Sequence, residues 1–443
     1  MDTLSGKKNK TLANFFSLSL LQIGNYVLPM ITLPIISRII GPENYGAINY
    51  AFAYVGYFVL LINAGFDLYG TRLILQNRDN PVEINKVFSR IIAAKTTLLV
   101  IAGFLFLLSI YFVGPLREQK LITFFTFILC VGWVINPSWL YHGMQDSRRY
   151  AVFSFVSKLL FSVLVVLAVQ HREDYIYHPL ITSLSHVLVS FISCYYAMKK
   201  YGLKLCRVSR SEIKRTLNEN RKLSLIWWIS NQAQSTNLVI AGFFLLPLDL
   251  GYYSAALRLI FIIQSIISMP LNTVLFPYIG EAFLNNYEQG MKRLKKIFPL
   301  LTFIALGMTL GTLLFSKYVI HGFYGAEFAG AEELLKIFSI VLFFSTINGA
   351  LGQQVLLNLK LDSVYMKFVM TGFFLNIIFL FLFIHLKGGV GAAWAWPCSE
   401  IVVFFIYVIY LRLRKVPLFH YANYNPVRVF GSLFQLVKLR TAK

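Results

Sequence analysis

The chain has 443 residues, of which 57% are hydrophobic, 16% aromatic and only 14% charged, and its mean hydropathy is +0.65. An ordinary soluble domain is excluded, because 40 phenylalanines set against 19 acids cannot be hidden in one globular core, whereas a bilayer accepts apolar side chains on every outward face. A formal charge of +22 is equally compatible with a nucleic-acid binder and with a membrane topology, and the placement of the basic residues along the chain decides between them.

The first apolar run extends from Thr11 to about Ile36, too long for the core of a signal peptide and with no small-residue cleavage site behind it, so it reads as a retained span. Backbone groups in lipid must be paired internally, and continuous runs of about 20 residues do this as helices. With the first span at 12–36, the others are expected near 46–69, 91–113, 121–140, 150–169, 179–198, 223–246, 252–279, 297–316, 333–356, 365–386 and 389–411. The predicted fold is therefore an all-α integral membrane protein of twelve transmembrane helices.

Twelve spans put both termini on one side. On that side the terminal segments and the segments between spans together carry 31 lysines and arginines, against 6 on the other. The positive-inside rule makes the richer side cytoplasmic, and most of the charge then marks topology and contact with anionic headgroups. The most basic segment, 199–222, divides the spans six and six. It gives an N-terminal bundle at 1–198, a linker that reads as a hinge, a C-terminal bundle at 223–411, and a basic tail at 412–443. In that tail Val427, Phe430, Leu433, Phe434 and Val437 share a helical face suited to lying on the membrane. Cys130, Cys194, Cys206 and Cys398 are scattered without ligand spacing, so neither a metal site nor a disulfide framework is expected, and no cofactor is implied.

The chain also repeats itself. "GPENYG" after the first span is echoed by "LPLDLGYY" after the seventh, with Gly46 over Tyr252, and "HGMQDSRRYA" is echoed by "NLKLDSVYMK", with Asp146 over Asp362. An even number of spans separates each pair, which implies two six-helix bundles of the same orientation, a layout of secondary transporters that bind substrate between repeats.

Five segments in order resemble the Wzx-type flippases of lipid-linked oligosaccharides, relatives of MATE exporters and lipid II flippases. They are "LLQIGNYVLPMITLPIISRIIGPENYG", "NPSWLYHGMQDSRRYA", "DLGYYSAALRLI", "HGFYGAEFAGAEELLKIFSIVLFF" and "GGVGAAWAWPCSEIVVFFIYVIYL". The resemblance implies a MATE-like fold in the bacterial inner membrane. It also implies a cargo of undecaprenyl-diphosphate-linked glycan for O-antigen or a similar polysaccharide, and a polysaccharide polymerase and chain-length regulator as partners.

Such a cargo needs cations for its diphosphate, and amides, hydroxyls and rings for its sugars. Ionisable side chains within spans cost roughly 2.5–3.5 kcal/mol even on the lenient insertion scale, so they are candidates by default. Arg258 and Lys158, with Arg38 at the end of the first span, are the expected diphosphate contacts; Lys95 and Lys336 sit near span ends and should snorkel. Gln22, Asn25 and Asn63 are candidate glycan ligands, with hydrogen bonding between helices as the other use of an amide there. Glu400, deep in the last span, is the candidate proton or ion carrier, or else half of a permanent ion pair. Asp67 is a second coupling candidate, otherwise paired with Arg72. No paired carboxylates occupy a sizeable extramembrane loop, so catalysis is not expected, and a cation-coupled exporter of small molecules is the remaining alternative.

Overall fold

The computed structural model describes residues 2–231, 233–271, 275–416 and 418, with side chains from Gly24 onward except at 26, 226, 229–234, 267, 269 and 270. Every regular element among them is helical. The expected amphipathic helix of the tail lies outside the described residues. Among the described residues, eight helical segments are long and apolar enough to cross a membrane.

The two longest of these, Val27–Gln76 and Asp362–Leu413, are broken internally. A straight 52-residue helix would be about 78 Å long at 1.5 Å per residue, far beyond a hydrocarbon core of about 30 Å. Helix α1 (Asp2–Asn63) breaks at Gly41, whose φ of 76° precedes Pro42. At the second break Gly388 takes φ 53°, and Gly391 packs so closely on the Phe383 carbonyl that no Cβ would fit, so the chain reverses there.

Contacts divide the chain into two units, Met1–Gly251 and Tyr252–Lys443. The division falls at the start of the eighth expected span. In the first unit α1 is followed by α2 (Phe66–Gln76), α3 (Pro81–Phe112), α4 (Gly114–Glu118) and α5 (Lys120–Phe127). Then come α6 (Leu129–Ile135), α7 (Ser138–Gly143), α8 (Ser147–Ala168), α9 (Tyr177–Tyr201), α10 (Arg210–Asn231), α11 (Ala233–Gly242) and the start of α12 (Pro247–Pro270). Helix α8 packs between α1 and α9, while α11 joins this unit by lying on α1, where Gly242 receives the Tyr50 ring and Tyr57 donates to Thr236 at 2.8 Å.

The second unit contains the rest of α12, then α13 (Phe276–Asn285), α14 (Tyr287–Tyr324), α15 (Ala331–Gly349) continuing into a π-helical stretch at Ala350–Leu357, and α16 (Asp362–Leu413). Its core gathers Leu294, Phe298, Leu351, Leu356 and Tyr407. In both units large apolar side chains remain exposed in rows, such as Val100, Phe104, Leu107 and Tyr111 on α3 and Leu310, Leu314 and Tyr318 on α14. Acyl chains solvate such rows and water does not.

Both sequence echoes correspond to real structural repeats, each one residue out of register. Pro42 and Pro247 each begin a helical run, which places Gly46 over Gly251 rather than Tyr252. The two copies also meet: a Cβ on Gly46 would strike the Pro247 carbonyl and the Gly251 backbone, and one on Gly251 would strike the Pro42 carbonyl. In the second echo Gln145 (φ 57°) and Lys360 (φ 59°) close equivalent helix ends. The next amide in each returns to the carbonyl five residues back, Asp146 to Tyr141 and Leu361 to Leu356, so Asp146 corresponds to Leu361.

Candidate functional site

A helix residue four places before a proline keeps a carbonyl that has lost its donor, because proline carries no N–H. In α1 that residue is Asn25, ahead of Pro29. The Asn25 carbonyl accepts instead from the Lys158 ammonium at 2.9 Å, and the Asn25 side-chain oxygen accepts from the Ser154 hydroxyl at 3.3 Å, both from α8. Lys158 is half-buried and lines a cavity of about 410 Å³ between α6, α8 and α9. Trp133, Tyr150 and Phe161 supply its rings, Ser154, Ser157, Thr182 and Ser190 its hydroxyls, Asn136 an amide and His186 an imidazole. The His186 ring lies 5.1 Å from that of Trp133, and its Nε2 has no hydrogen-bond partner among the described residues.

The same chemistry recurs behind Trp133. Pro137 leaves the Trp133 carbonyl open, and the Lys95 ammonium donates to it at 3.2 Å and to Asn63 Oδ1 at 3.2 Å. Lys95 is 0% exposed, which corrects the expectation that it snorkels. Helix α3 starts at Pro81, ten residues before the expected span, so Lys95 lies well inside it. Asn63 is 5% exposed, and its hydrogen bond to Lys95 is the use between helices that an amide there also allows. Asp67 attracts Lys95 electrostatically and accepts from the Ser138 hydroxyl; among the described residues no ion pair joins it to Arg72, which is exposed.

The other candidates stand apart from this cavity. Arg258 is the one exposed side chain in the otherwise buried run from Tyr253 to Ile260 of α12. Arg38 is exposed just before the Gly41 break, and Lys336 is exposed as expected. The Gln22 side chain lies outside those described. In the second unit both Glu400 oxygens are held by neutral donors, Asn348 Nδ2 at 2.7 Å and Trp396 Nε1 at 3.1 Å. No cation pairs with Glu400 among the described residues, so its reading as half of a permanent ion pair is not what the geometry displays. Sequence reasoning missed Trp133, Tyr150, Asn136 and His186 as a group, because they converge from separate helices. It also missed the two opened carbonyls, although "NYVLP" and "WVINP" spell them out.

A profile of the family described as polysaccharide biosynthesis protein matches residues 11–283, more than half of the chain. The chain belongs to this family. Over 404 residues this family member is 23% identical to the Escherichia coli (strain K12) protein named "Putative O-antigen transporter", spanning 91% of the present chain and 97% of that one. It is 24% identical over 327 residues to the succinoglycan biosynthesis transport protein ExoT of Rhizobium meliloti (strain 1021), covering 72% and 63% of the two chains. Its fold matches that of the lipid II flippase MurJ in an inward closed conformation, with a TM-score of 0.72 at 14% identity over 96% of this chain and 92% of the other. An inward-facing multidrug resistance MATE transporter of the MOP superfamily matches with a TM-score of 0.63 at 14% identity, covering 90% and 95%. The family member is thus a multi-pass, all-helical membrane protein with the fold shared by MurJ and MATE transporters.

Proposed function

We propose that the protein carries an undecaprenyl-diphosphate-linked oligosaccharide unit from the cytoplasmic to the outer leaflet of the bacterial inner membrane, for O-antigen or a related polysaccharide, by alternating access. The reading rests on one observation above all: a cavity within the first unit sets an ammonium among aromatic rings and hydroxyls, with no carboxylate in its lining. Rings and hydroxyls suit sugar faces and sugar hydroxyls, the ammonium suits a phosphate, and a polyprenyl tail can stay in lipid. An exporter of small cations would need the opposite sign in that lining. The relatives named as transporters of O-antigen and succinoglycan support the cargo class.

In this proposal twelve spans place both termini in the cytoplasm, in keeping with the distribution of basic residues and the breaks at Gly41 and Gly388. Lys158, Arg258 and Arg38 attract the diphosphate, Asn25 and Gln22 are candidate glycan ligands, and Glu400 and Asp67 are the candidate coupling groups. A polymerase and a chain-length regulator act on the delivered unit. Replacing Arg258 by Ala is expected to abolish surface polysaccharide and to leave lipid-linked units on the inner leaflet, with the amount of protein in the membrane unchanged. Normal polysaccharide in that variant would remove Arg258 from the pathway.

A further inference from the structure

Two lysines in the first unit bond to carbonyls opened by prolines, and their settings differ. Lys95 is sealed, with an amide and a nearby carboxylate beside it, and nothing can reach it without unpacking α1, α3 and α6. Lys158 makes its bond at the wall of a cavity large enough for a phosphate ester, whose lining also includes His186. An ammonium in lipid needs an acceptor at all times, and the Asn25 carbonyl provides one that is neutral and weaker than an anion.

We propose that the Asn25 carbonyl is a placeholder: it holds Lys158 in the empty site, and a phosphate-ester anion entering the cavity takes the ammonium over. This rests on the flippase reading and adds to it a ligand exchange confined to the first unit. The exchange keeps Lys158 paired in both states, so that neither state carries a bare buried charge. Pro29 is the residue that makes it work. Pro29→Ala would return an N–H to the Asn25 carbonyl, weaken its hold on Lys158 and leave the ammonium more available.

The test is equilibrium binding of radiolabelled inorganic pyrophosphate to the full-length protein in nanodiscs. Wild type should bind, Lys158→Met should lose at least tenfold in affinity, Lys158→Arg should recover part of it, and Pro29→Ala should bind several-fold more tightly. Undecaprenyl diphosphate should displace the label from wild type. Equal affinities for wild type and Pro29→Ala would overturn the placeholder, and so would binding indifferent to Lys158→Met. Binding of pyrophosphate that the lipid cannot displace would overturn the assignment to a lipid-borne anion. Circular dichroism on each variant separates loss of binding from loss of fold. The flippase reading fails by a different result, normal surface polysaccharide in cells lacking the protein, so the two are judged apart.

Discussion

Lys95 shows how much one side chain can tie together when it is fully enclosed. Its ammonium satisfies the Asn63 amide oxygen and the Trp133 carbonyl and lies within the field of Asp67. Replacing it by Met keeps the length and removes the charge, stranding two acceptors at about 1–3 kcal/mol each. Lys95→Met should therefore lower the melting temperature of the detergent-solubilised protein and its level in membranes, and adding Asn63→Leu should not double the loss, since both belong to one network. A melting curve matching wild type would show that the cluster carries no stability. At this scale the sequence was half legible. Lysines inside apolar runs were conspicuous, but their depth depended on where α3 begins, and the carbonyls that prolines leave open were not foreseen.

Helix α10 is an element whose role changed between sequence and structure. The basic segment before and within it reads as a hinge, yet it is docked. Leu203, Thr216 and Asn220 are buried, the backbone N–H of Lys204 donates to Asn85 at 2.8 Å and that of Cys206 to Ser89 at 2.9 Å. Asn220 and Ser224 both donate to the Ala64 carbonyl, at 2.7 and 2.6 Å, where the turn through Ala64 and Gly65 takes positive φ and interrupts the helical ladder. Charge counting could not reveal this, because the docking face is made of small polar residues and a few aliphatics, while the arginines and lysines point away. Glu219 fastens the same element: the Tyr69 hydroxyl at 2.7 Å and the Arg215 guanidinium at 2.7 Å hold its carboxyl below the usual glutamate range. A lowered carboxyl stabilises the docked state at neutral pH, and that contribution fades as pH falls through its folded value. Hydrogen exchange in α10 should accordingly quicken below the ordinary glutamate range. Glu219→Gln should show the quicker exchange already at neutral pH; a pH-independent wild-type helix would contradict this.

At the level of the whole molecule, the class of fold, the membrane setting and the internal repetition were all written in hydropathy and in short echoes, which survive because they report bulk solvation and turn chemistry. The register was off by one in both echoes, since identical letters in a short motif outweigh the backbone geometry that decides equivalence. Glu400 belongs to this scale too, because a carrier must change charge as the protein changes state. Held by Asn348 and Trp396 and by no cation among the described residues, its charge is not fixed by a counterion. Glu400→Gln should flatten the pH dependence of transport in proteoliposomes, and an unaltered profile would remove it as the coupling group. The crossing of Gly46 and Gly251 has a consequence of its own. Each glycine is bare because the opposite segment's proline carbonyl occupies the space a methyl group would need, so the duplicated motif has become its own binding partner. Neither segment can acquire a side chain at that point while the other stays where it is, so each glycine holds the other bare by steric reciprocity.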